Sequence, residues 1–446
     1  MSEPTPPQAT PATPPPPPAP AKPAPASAQR APAPAAPASA SPGEPASLGQ
    51  RIRGGARGLI LPVLAIFSAL VIGAIVIVLS DITFFDRLRA DPGTALGAAL
   101  DEVLGAYGAL FTGSLGNPGT YAAAFASGDL EQITRAFTPI SETLLAATPL
   151  LFTGLAVALG FQCGLFNIGA EGQLYLGAIF GTFVGFAFTG LPWFVHIPLA
   201  IGAGFLGGAL WGFIPGLLKA RTGAHEVIVT IMLNYIAFNL VNFILKVPGY
   251  QREGRSDPIS KVTIDSSWYP PLVEGLRANW GFILGLVAAL LVSWLLFRST
   301  RGFEFRAVGL NPTAARYAGM SIATTTIVAM TLSGGLAGLA GTSIVLGVTH
   351  TLTFGISAGF GFDGIAIALM ASSKPRGIIF ASLLFGALRA GATPMQSITG
   401  IPIDLVVVIQ ALVIMFVAAP ALVRGIYRIR VPEATGLETF SQGWRA

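Results

Sequence analysis

Charged side chains are scarce in this chain of 446 residues, because Asp, Glu, Lys and Arg together make up only 11% of it. A soluble globular protein carries about 25% of such residues, whereas hydrophobic residues reach 52% here. This composition excludes an ordinary soluble domain and indicates a membrane protein. The net charge of +5 is not concentrated in a basic patch on a soluble domain, so we expect basic flanks of membrane spans and no nucleic-acid partner.

Residues that carry metal, redox and nucleotide chemistry are equally rare. Cys163 is the single cysteine and cannot form an intramolecular disulfide, and the three histidines form no cluster with metal-ligand spacing. No lysine follows a glycine, so the phosphate-binding motif G-x-x-x-x-G-K-[ST] is absent. We therefore expect no metal and no cofactor in this chain. We also expect no enzyme, because no nucleophile, base and orienting group are grouped in the sequence.

Proline is concentrated at the N-terminus. Residues 1–46 hold 17 of the 35 prolines, interleaved with Ala, Ser and Thr. A segment of this composition cannot bury a core, so we expect a disordered cytoplasmic tail with polyproline II character. The apolar run at 59–79 is too long and begins too late to be a cleavable signal peptide, and we expect it to remain as a membrane anchor.

Long apolar stretches dominate the rest of the chain. Ten of them approach the roughly 20 residues that a helix needs to cross a bilayer, which predicts an all-α polytopic membrane protein with about ten transmembrane helices within 59–425. The predicted spans are 59–80, 143–161, 165–188, 196–218, 226–245, 280–297, 321–346, 361–373, 377–391 and 404–423. The eighth and ninth are short and closely spaced, so they are either two crossings or one broken or re-entrant pair.

Basic residues are distributed unevenly among the loops. With the N-terminus inside, the inner segments carry 17 of the 26 Lys and Arg residues, while the outer loops 81–142 and 246–279 hold most of the acidic residues. Cytoplasmic loops carry such an excess of Lys and Arg. We therefore expect ten spans in the cytoplasmic membrane, with the N-terminus and a C-terminal tail at 426–446 both in the cytoplasm. The glycine-rich stretch 102–116 is too short to cross, and we expect it along the outer surface.

A polar segment interrupts the apolar pattern between the second and third predicted spans. Residues 164–173, GLFNIGAEGQ, place one carboxylate and two amides where lipid is expected. A charge at the centre of a membrane helix costs about 2.5 to 3.5 kcal/mol, so such groups persist where they face protein or water. We predict that Asn167, Glu171 and Gln173 line the substrate path, and we assign the three glycines to helix packing. The alternative is that the amides only bond a neighbouring helix.

Two further polar sites lie in later spans. Glu226, Thr230 and Asn234 recur every four residues and share one helix face. Either a water-filled path or hydrogen bonding between helices explains this stripe, and we include Glu226 and Asn234 in the predicted path. Asp363 lies in the glycine-rich segment GFGFDGIAIALM after the seventh span, as GLFNIGAEGQ follows the second. We include it too, and the matching positions indicate an inverted 5+5 repeat.

Four segments taken in order carry a more specific signal. They are GLFNIGAEGQLYLGA (164–178), EVIVTIMLNYIA (226–237), RAVGLNPTAARYAGM (306–320) and GFDGIAIALMA (361–371). Together they resemble the permease subunits of ABC importers for nucleosides and simple sugars, within the broader group of ribose and branched-chain amino-acid permeases. The resemblance covers about 59–425. It implies that the chain translocates a nucleoside or simple sugar across the cytoplasmic membrane.

The resemblance also implies a fold similar to the cobalamin-type importers and a set of partners. These are cytoplasmic ATPase subunits that use ATP, a second homologous permease chain and an extracytoplasmic substrate-binding lipoprotein, besides membrane lipid. The rival interpretation is an ion-coupled secondary transporter of a small polar solute, in which Glu171 or Asp363 is a proton or sodium site.

The inner loop 298–320 is the most basic short loop of the membrane region. Asn311 as N-cap and Pro312 in the first turn predict a short helix at this face. We predict that the loop couples the permease to its ATPase through Arg306, Asn311, Ala314, Arg316 and Gly319. The alternative is that its arginines only anchor the topology.

Overall fold

The computed structural model describes residues 48–428. The predicted tail at 1–46 lies outside the described residues, as does the segment 429–446 of the predicted C-terminal tail. Within 48–428 the regular structure is helical, and the only β pairing is three isolated bridges, between Gln251 and Ser260, Ile259 and Thr353, and Pro271 and Asn279.

The α-helices between 48 and 428 are numbered in chain order. They are α1 (Leu48–Ser80), α2 (Phe84–Ala90), α3 (Pro92–Leu115), α4 (Pro118–Ser127), α5 (Leu130–Ala136), α6 (Thr138–Gln162), α7 (Ala170–Ala187), α8 (Trp193–Thr222), α9 (Glu226–Ile244), α10 (Trp280–Arg298), α11 (Thr300–Leu310), α12 (Pro312–Tyr317), α13 (Ile322–Ile344), α14 (Phe360–Met370), α15 (Pro375–Thr399), α16 (Ile403–Ala418) and α17 (Pro420–Tyr427). A 3₁₀ turn lies at Asp265–Ser267, and α13 continues into a π turn at Val345–Thr349.

Seven helices of the described part are long and apolar enough to cross a membrane. They are the 63–80 part of α1, then α6, α8, α9, α10, α13 with its π turn, and α15. An eighth span is added if the bent pair of α16 and α17, whose axes differ by 88°, forms one crossing. Helices occur at all ten predicted positions, but ten full-length apolar spans are not found within 48–428.

The third, eighth and tenth predicted spans fall short, the tenth because it is the bent pair of α16 and α17. The third begins at Ala170 and not at 165, because residues 163–169 form turns in which Gly164 has φ +70° and the Asn167 side chain accepts from the Gly169 N–H at 3.0 Å. An asparagine side chain bonded to the backbone two residues ahead holds the chain out of helical geometry. The eighth, α14, has only 11 residues. Its partner α15 has 25 and extends beyond the predicted 377–391 at both ends.

The outer stretch predicted at 102–116 belongs to a longer helix. Asp91 caps α3 by accepting from the Gly93 N–H at 3.0 Å, and Pro92 occupies the first turn. Such a start is typical of helices, and it extends α3 to 24 residues. Its small and apolar residues pack against α1, α15 and α16, and Tyr107 donates a hydrogen bond to the carbonyl oxygen of Leu70 on α1.

Two helices form the centre of the described part. In both α6 and α13, 78% of the most apolar stretch is buried, against 28% to 33% in α8, α9 and α10. α15 packs along α6, and α8 packs along α13. The second of these pairs is joined through glycines, because a Cβ on Gly208 would overlap the carbonyl oxygen of Gly334 and lie 2.7 Å from the Cα of Gly338. Glycines spaced in this way let two membrane helices approach closely.

Candidate functional site

The two glycine-rich breaks meet at the N-termini of α7 and α14. Glu171 in the first turn of α7 is 3% exposed, and its Oε2 accepts a hydrogen bond from the Gly361 N–H at 2.8 Å. Gly361 is required there, because a Cβ would lie 2.7 Å from that oxygen and overlap the Glu171 backbone. A carboxylate at two helix N-termini is stabilised by their free N–H groups. The sequence-predicted Glu171 therefore joins the two breaks.

Asn167 and Gln173 bond each other and tie the first break to the central helices. The Asn167 Nδ2 donates to Gln173 Oε1 and to Ser333 Oγ, both at 2.8 Å, and the Gln173 Nε2 donates back to Asn167 Oδ1 at 3.2 Å. Ser333 on α13 in turn donates to the Ala156 carbonyl of α6 at 2.6 Å. Asn167 is 0% exposed, and the network satisfies its amide without water.

The polar stripe on α9 holds the same break from the other side. The Asn234 Oδ1 accepts from the Gly172 N–H at 2.9 Å, and its Nδ2 donates to the Ile168 carbonyl at 3.0 Å. Glu226 pairs with Lys219 near the end of α8 and accepts weakly from the Phe166 N–H at 3.5 Å. In the described conformation these polar groups form hydrogen bonds between helices. That they line the path at another stage of transport stays a prediction.

Asn234→Ala is expected to destabilise the folded protein, because it leaves the Gly172 N–H and the Ile168 carbonyl without partners. Stranding buried polar groups costs about 1 to 3 kcal/mol each. The matched control is Asn239→Ala on the same helix, since Asn239 donates only to Tyr235 of its own helix at an exposed position. Thermal unfolding in detergent should show a lower midpoint for the first variant alone. Equal midpoints would mean that the break does not depend on α9.

Asp363, the last predicted path residue, lies at a different place from the others. It forms an ion pair with Arg389 of α15, with 2.6 Å between Oδ2 and the guanidinium nitrogen. Arg389 also donates to the Ala358 carbonyl at 3.0 Å and lies over the Phe360 ring, 4.2 Å from its centre. The structure thus brings Asn167, Gln173 and Asn234 into contact with one segment, and it couples Asp363 to an arginine that the sequence analysis did not single out.

A cavity of about 710 Å³ opens beside Arg389. Its lining combines apolar side chains of α6, α13, α15 and α16 with a few polar ones. The polar lining residues are Glu142, Thr148, Arg277, Asn279, Ser343, Arg389, Thr393 and Gln410. None of the six predicted path residues lines this cavity, although Asp363 forms an ion pair with the lining residue Arg389. The signal that could have found it is Gln410, an amide within the otherwise apolar run LVVVIQALVIMF at 405–416.

The segment that follows α13 borders this cavity and is held in unusual backbone geometry. His350 and Ala358 adopt positive φ angles of 55° and 45°, which non-glycine residues rarely do. His350 stacks on Trp268 of the loop 246–279, with 3.8 Å between ring centres. Burial lowers the pKa of His350 below its usual value and Asp265 opposes this only in part, so the stacked ring is neutral at pH 7.

The predicted coupling residues lie at the other end of the helices. Asn311 caps α12 by accepting from the Ala314 N–H at 2.9 Å, as the sequence predicts. Every residue of α12 is exposed except Ala315, and Tyr317 is 90% exposed. Arg306 and Gly319 line a neighbouring groove of about 740 Å³ together with Arg298 and Arg301. Sequence analysis missed Tyr317, although it directly follows Arg316.

The described part of the chain contains no cluster of metal-binding side chains and no disulfide. Between 48 and 428 no three His, Cys, Asp or Glu side chains are grouped so that they could hold a metal ion. Cys163 is buried as a free thiol.

Comparison with known proteins identifies the class to which this arrangement belongs. Residues 140–418 match the family described as branched-chain amino acid transport system / permease component. The chain belongs to this family, and it is a multi-pass membrane permease. No solved structure matches it.

Three curated relatives are similar over most of their length. The guanosine ABC transporter permease protein NupP of Bacillus subtilis is 41% identical over 287 residues, which is 64% of this chain and 82% of the relative. The nucleoside ABC transporter permease protein NupB of Lactococcus lactis is 37% identical, over 67% of this chain and 83% of the relative. The glucose ABC transporter permease protein TsgB13 of Haloferax volcanii is 33% identical, over 80% of this chain and 86% of the relative.

Proposed function

We propose that this chain is the permease subunit of an ABC importer that translocates a nucleoside or simple sugar across the cytoplasmic membrane, with both termini in the cytoplasm. The observation that carries the proposal is the 41% identity to a guanosine permease over 287 residues. That stretch is 82% of the relative's length, so the similarity extends over most of the guanosine permease. Family membership of residues 140–418 supports it independently.

The chain depends on partners for energy. Its sequence has no lysine that follows a glycine, so ATP is bound and hydrolysed by separate cytoplasmic subunits and this chain is not an enzyme. The exposed α12 offers those subunits a rigid contact. A second homologous permease chain and an extracytoplasmic substrate-binding lipoprotein complete the transporter. The names of the relatives, all ABC transporter permeases, support this assembly.

We also propose a ten-span, cobalamin-importer-like fold built from an inverted 5+5 repeat. The packing supports the repeat: α6 packs on α14 and α15, while α13 packs on α7 and α8. Each central helix therefore contacts the two helices that follow the other break, and the breaks themselves meet between Glu171 and Gly361. Such an exchange is expected of two intertwined halves. In this arrangement α7, α14 and α16 complete the ten.

ATP-dependent uptake tests the proposed function. The complete transporter, reconstituted from this chain with its partner permease, ATPase and lipoprotein, should accumulate radiolabelled guanosine or glucose inside proteoliposomes that hold the ATPase domains and ATP in their lumen. An ATPase that lacks its Walker lysine should abolish this uptake. Full uptake driven by a proton or sodium gradient through this chain alone would instead support the ion-coupled transporter and overturn the proposal.

A further inference from the structure

The cavity beside Arg389 contains a buried amide with nothing to bind. Gln410 on α16 is 5% exposed and lines the cavity, and its Nε2 has no hydrogen-bond partner in the described part of the chain. An unpaired polar group buried between membrane helices is costly. Native proteins pair nearly all such groups, so an exception calls for a partner that the chain does not itself supply.

Apart from Thr393, which is exposed, the other polar side chains of the cavity are already engaged. The hydroxyls of Thr148 and Ser343 donate to carbonyls of their own helices, and Arg277 pairs with Glu142. The Asn279 amide is used by the Gly347 carbonyl and the Gly281 N–H. Gln410 is therefore the buried lining group whose hydrogen-bonding capacity is left for a ligand.

Arg389 gives the cavity a flat, rigid surface. Its guanidinium is held at three points, by Asp363, by the Ala358 carbonyl and by the Phe360 ring beneath it. The side chain still keeps 24% of its surface exposed. The Ala358 carbonyl that it binds belongs to a residue with a positive φ of 45°, and backbone held in this way is found preferentially at ligand sites. A guanidinium plane fixed on one side can stack with a planar ring on the other.

We propose that this cavity is the binding chamber for a nucleoside, with the Gln410 amide bonding the polar edge of the base and the Arg389 guanidinium stacking on its face. The assignment rests on the proposed function and narrows its substrate class. A side-chain amide can donate and accept at once, which matches the adjacent donor and acceptor groups on a nucleobase edge. At about 710 Å³, the chamber falls within the size range of small-molecule sites.

The lining favours a nucleoside over a hexose. Most of it is apolar, with Leu145, Pro149, Ile344 and Val406 among the contributors. A hexose carries hydroxyls around its whole ring, and an apolar wall would leave most of them unpaired at a cost for each. A base has two apolar faces and carries its polar groups only at its edges, so an apolar wall can contact the faces without leaving hydroxyls unpaired, while the Gln410 amide bonds one edge.

The test is guanosine transport by the complete transporter with Gln410→Leu, which keeps the size of the side chain and removes its hydrogen bonds. The number of guanosine molecules moved per ATP hydrolysed should fall by about two- to tenfold, the value of one net hydrogen bond. This ratio is insensitive to how much transporter is present. Gln396→Leu is the matched control, because Gln396 on α15 is exposed and outside the cavity, and its ratio should equal that of the unmodified protein.

A second measurement does not depend on the Gln410 variant folding. Thr393 lines the cavity and is exposed, so Thr393→Cys in a Cys163→Ala background places the sole thiol at the chamber wall. Millimolar guanosine should slow its labelling by a water-soluble maleimide, and equal concentrations of glucose should not.

The outcomes separate the two levels of assignment. Guanosine transport that is unchanged by Gln410→Leu, together with labelling that guanosine does not slow, would overturn the chamber and leave the proposed function standing. ATP-driven transport of glucose but of no nucleoside would likewise overturn only the nucleoside assignment. A transporter that moves neither compound would overturn the proposed function and this inference with it.

Discussion

Gly208→Ala is expected to remove most of the folded protein from the membrane, although it adds a single methyl group. Gly208 lies on α8 where this helix contacts α13, and a Cβ there would overlap the Gly334 carbonyl and lie 2.8 Å from the Gly338 backbone nitrogen. These are backbone atoms, which cannot rotate away as a side-chain end can. Overpacking usually costs about 1 to 3 kcal/mol, and we expect this site at or above the upper limit.

The matched control lies on the same helix. At Gly202 an added Cβ would meet no atom within 4 Å, so Gly202→Ala should leave stability within about 0.5 kcal/mol of the unmodified protein. The measurement is the monodisperse fraction after detergent extraction, with the thermal midpoint of whatever folds. A Gly208→Ala protein as abundant and stable as Gly202→Ala would show that α8 and α13 do not meet through their glycines.

Gly202 and Gly208 show which part of the helix packing can be predicted from the sequence. The run GAGFLGGALWG at 202–212 is typical of a helix that packs closely, since Gly204, Gly208 and Gly212 recur at intervals of four. Which helix these glycines face depends on the rotation of α8 in the fold, and local sequence does not contain that rotation. The interval of four that links Gly204, Gly208 and Gly212 therefore predicts close packing and sets them apart from Gly202, but it does not say which helix they contact.

For the polar residues too, the sequence predicts burial but not the partners that they contact. The cost of burying Asn167 and Glu171 in lipid predicts that they face protein or water, and both side chains are buried within the protein. Their actual partners are Ser333 on α13 and the backbone of Gly361, which lie 166 and 190 residues away in the chain. Contacts of such separation follow from the packing of whole helices. The sequence of 164–173 therefore identifies polar groups that need partners, but it does not show whether protein or water provides them.

Ten full-length spans are not confirmed within 48–428, and part of the difference lies where helices are interrupted. The predicted spans 165–188 and 361–373 are longer than the observed helices, because α7 begins only at Ala170 and α14 has 11 residues. Hydropathy averages over about 19 residues, so it passes over a turn that a single asparagine and a glycine of positive φ create. The stretch predicted at 102–116 is shorter than α3, because the first ten residues of α3 are only weakly apolar. Asp91 as N-cap and Pro92 in the first turn mark the start of this helix in the sequence.

The other large effect is expected at α12, where the double substitution Arg316→Glu and Tyr317→Ser should abolish ATP-driven uptake. This prediction rests on the proposed function. Both residues are exposed, and Tyr317 shows 90% of its surface to solvent. Exposed Tyr and Arg side chains on a rigid element are the residue types that dominate binding energy at protein interfaces, often at 2 kcal/mol or more each by order of magnitude.

The substitutions leave the helix itself intact. The cap between Asn311 and the Ala314 N–H and the first helical bond, from the Ala315 N–H to the Asn311 carbonyl, involve neither side chain. Ala314→Pro would remove only the N–H that serves the cap, because Ala314 occupies the third position of α12. Ala315→Pro removes the helical bond and is the better variant for the rigidity of the contact.

Co-purification decides between coupling and a mere topology anchor. The ATPase subunits should be retained by the unmodified chain and by the control Arg221→Glu, which reverses an exposed charge at the end of α8. They should be lost from the α12 double variant, whose membrane abundance and thermal midpoint should be unchanged because no buried group is touched. If the ATPase is retained and uptake persists, α12 does not carry the drive from ATP hydrolysis, and its basic residues serve only to hold this loop on the cytoplasmic side.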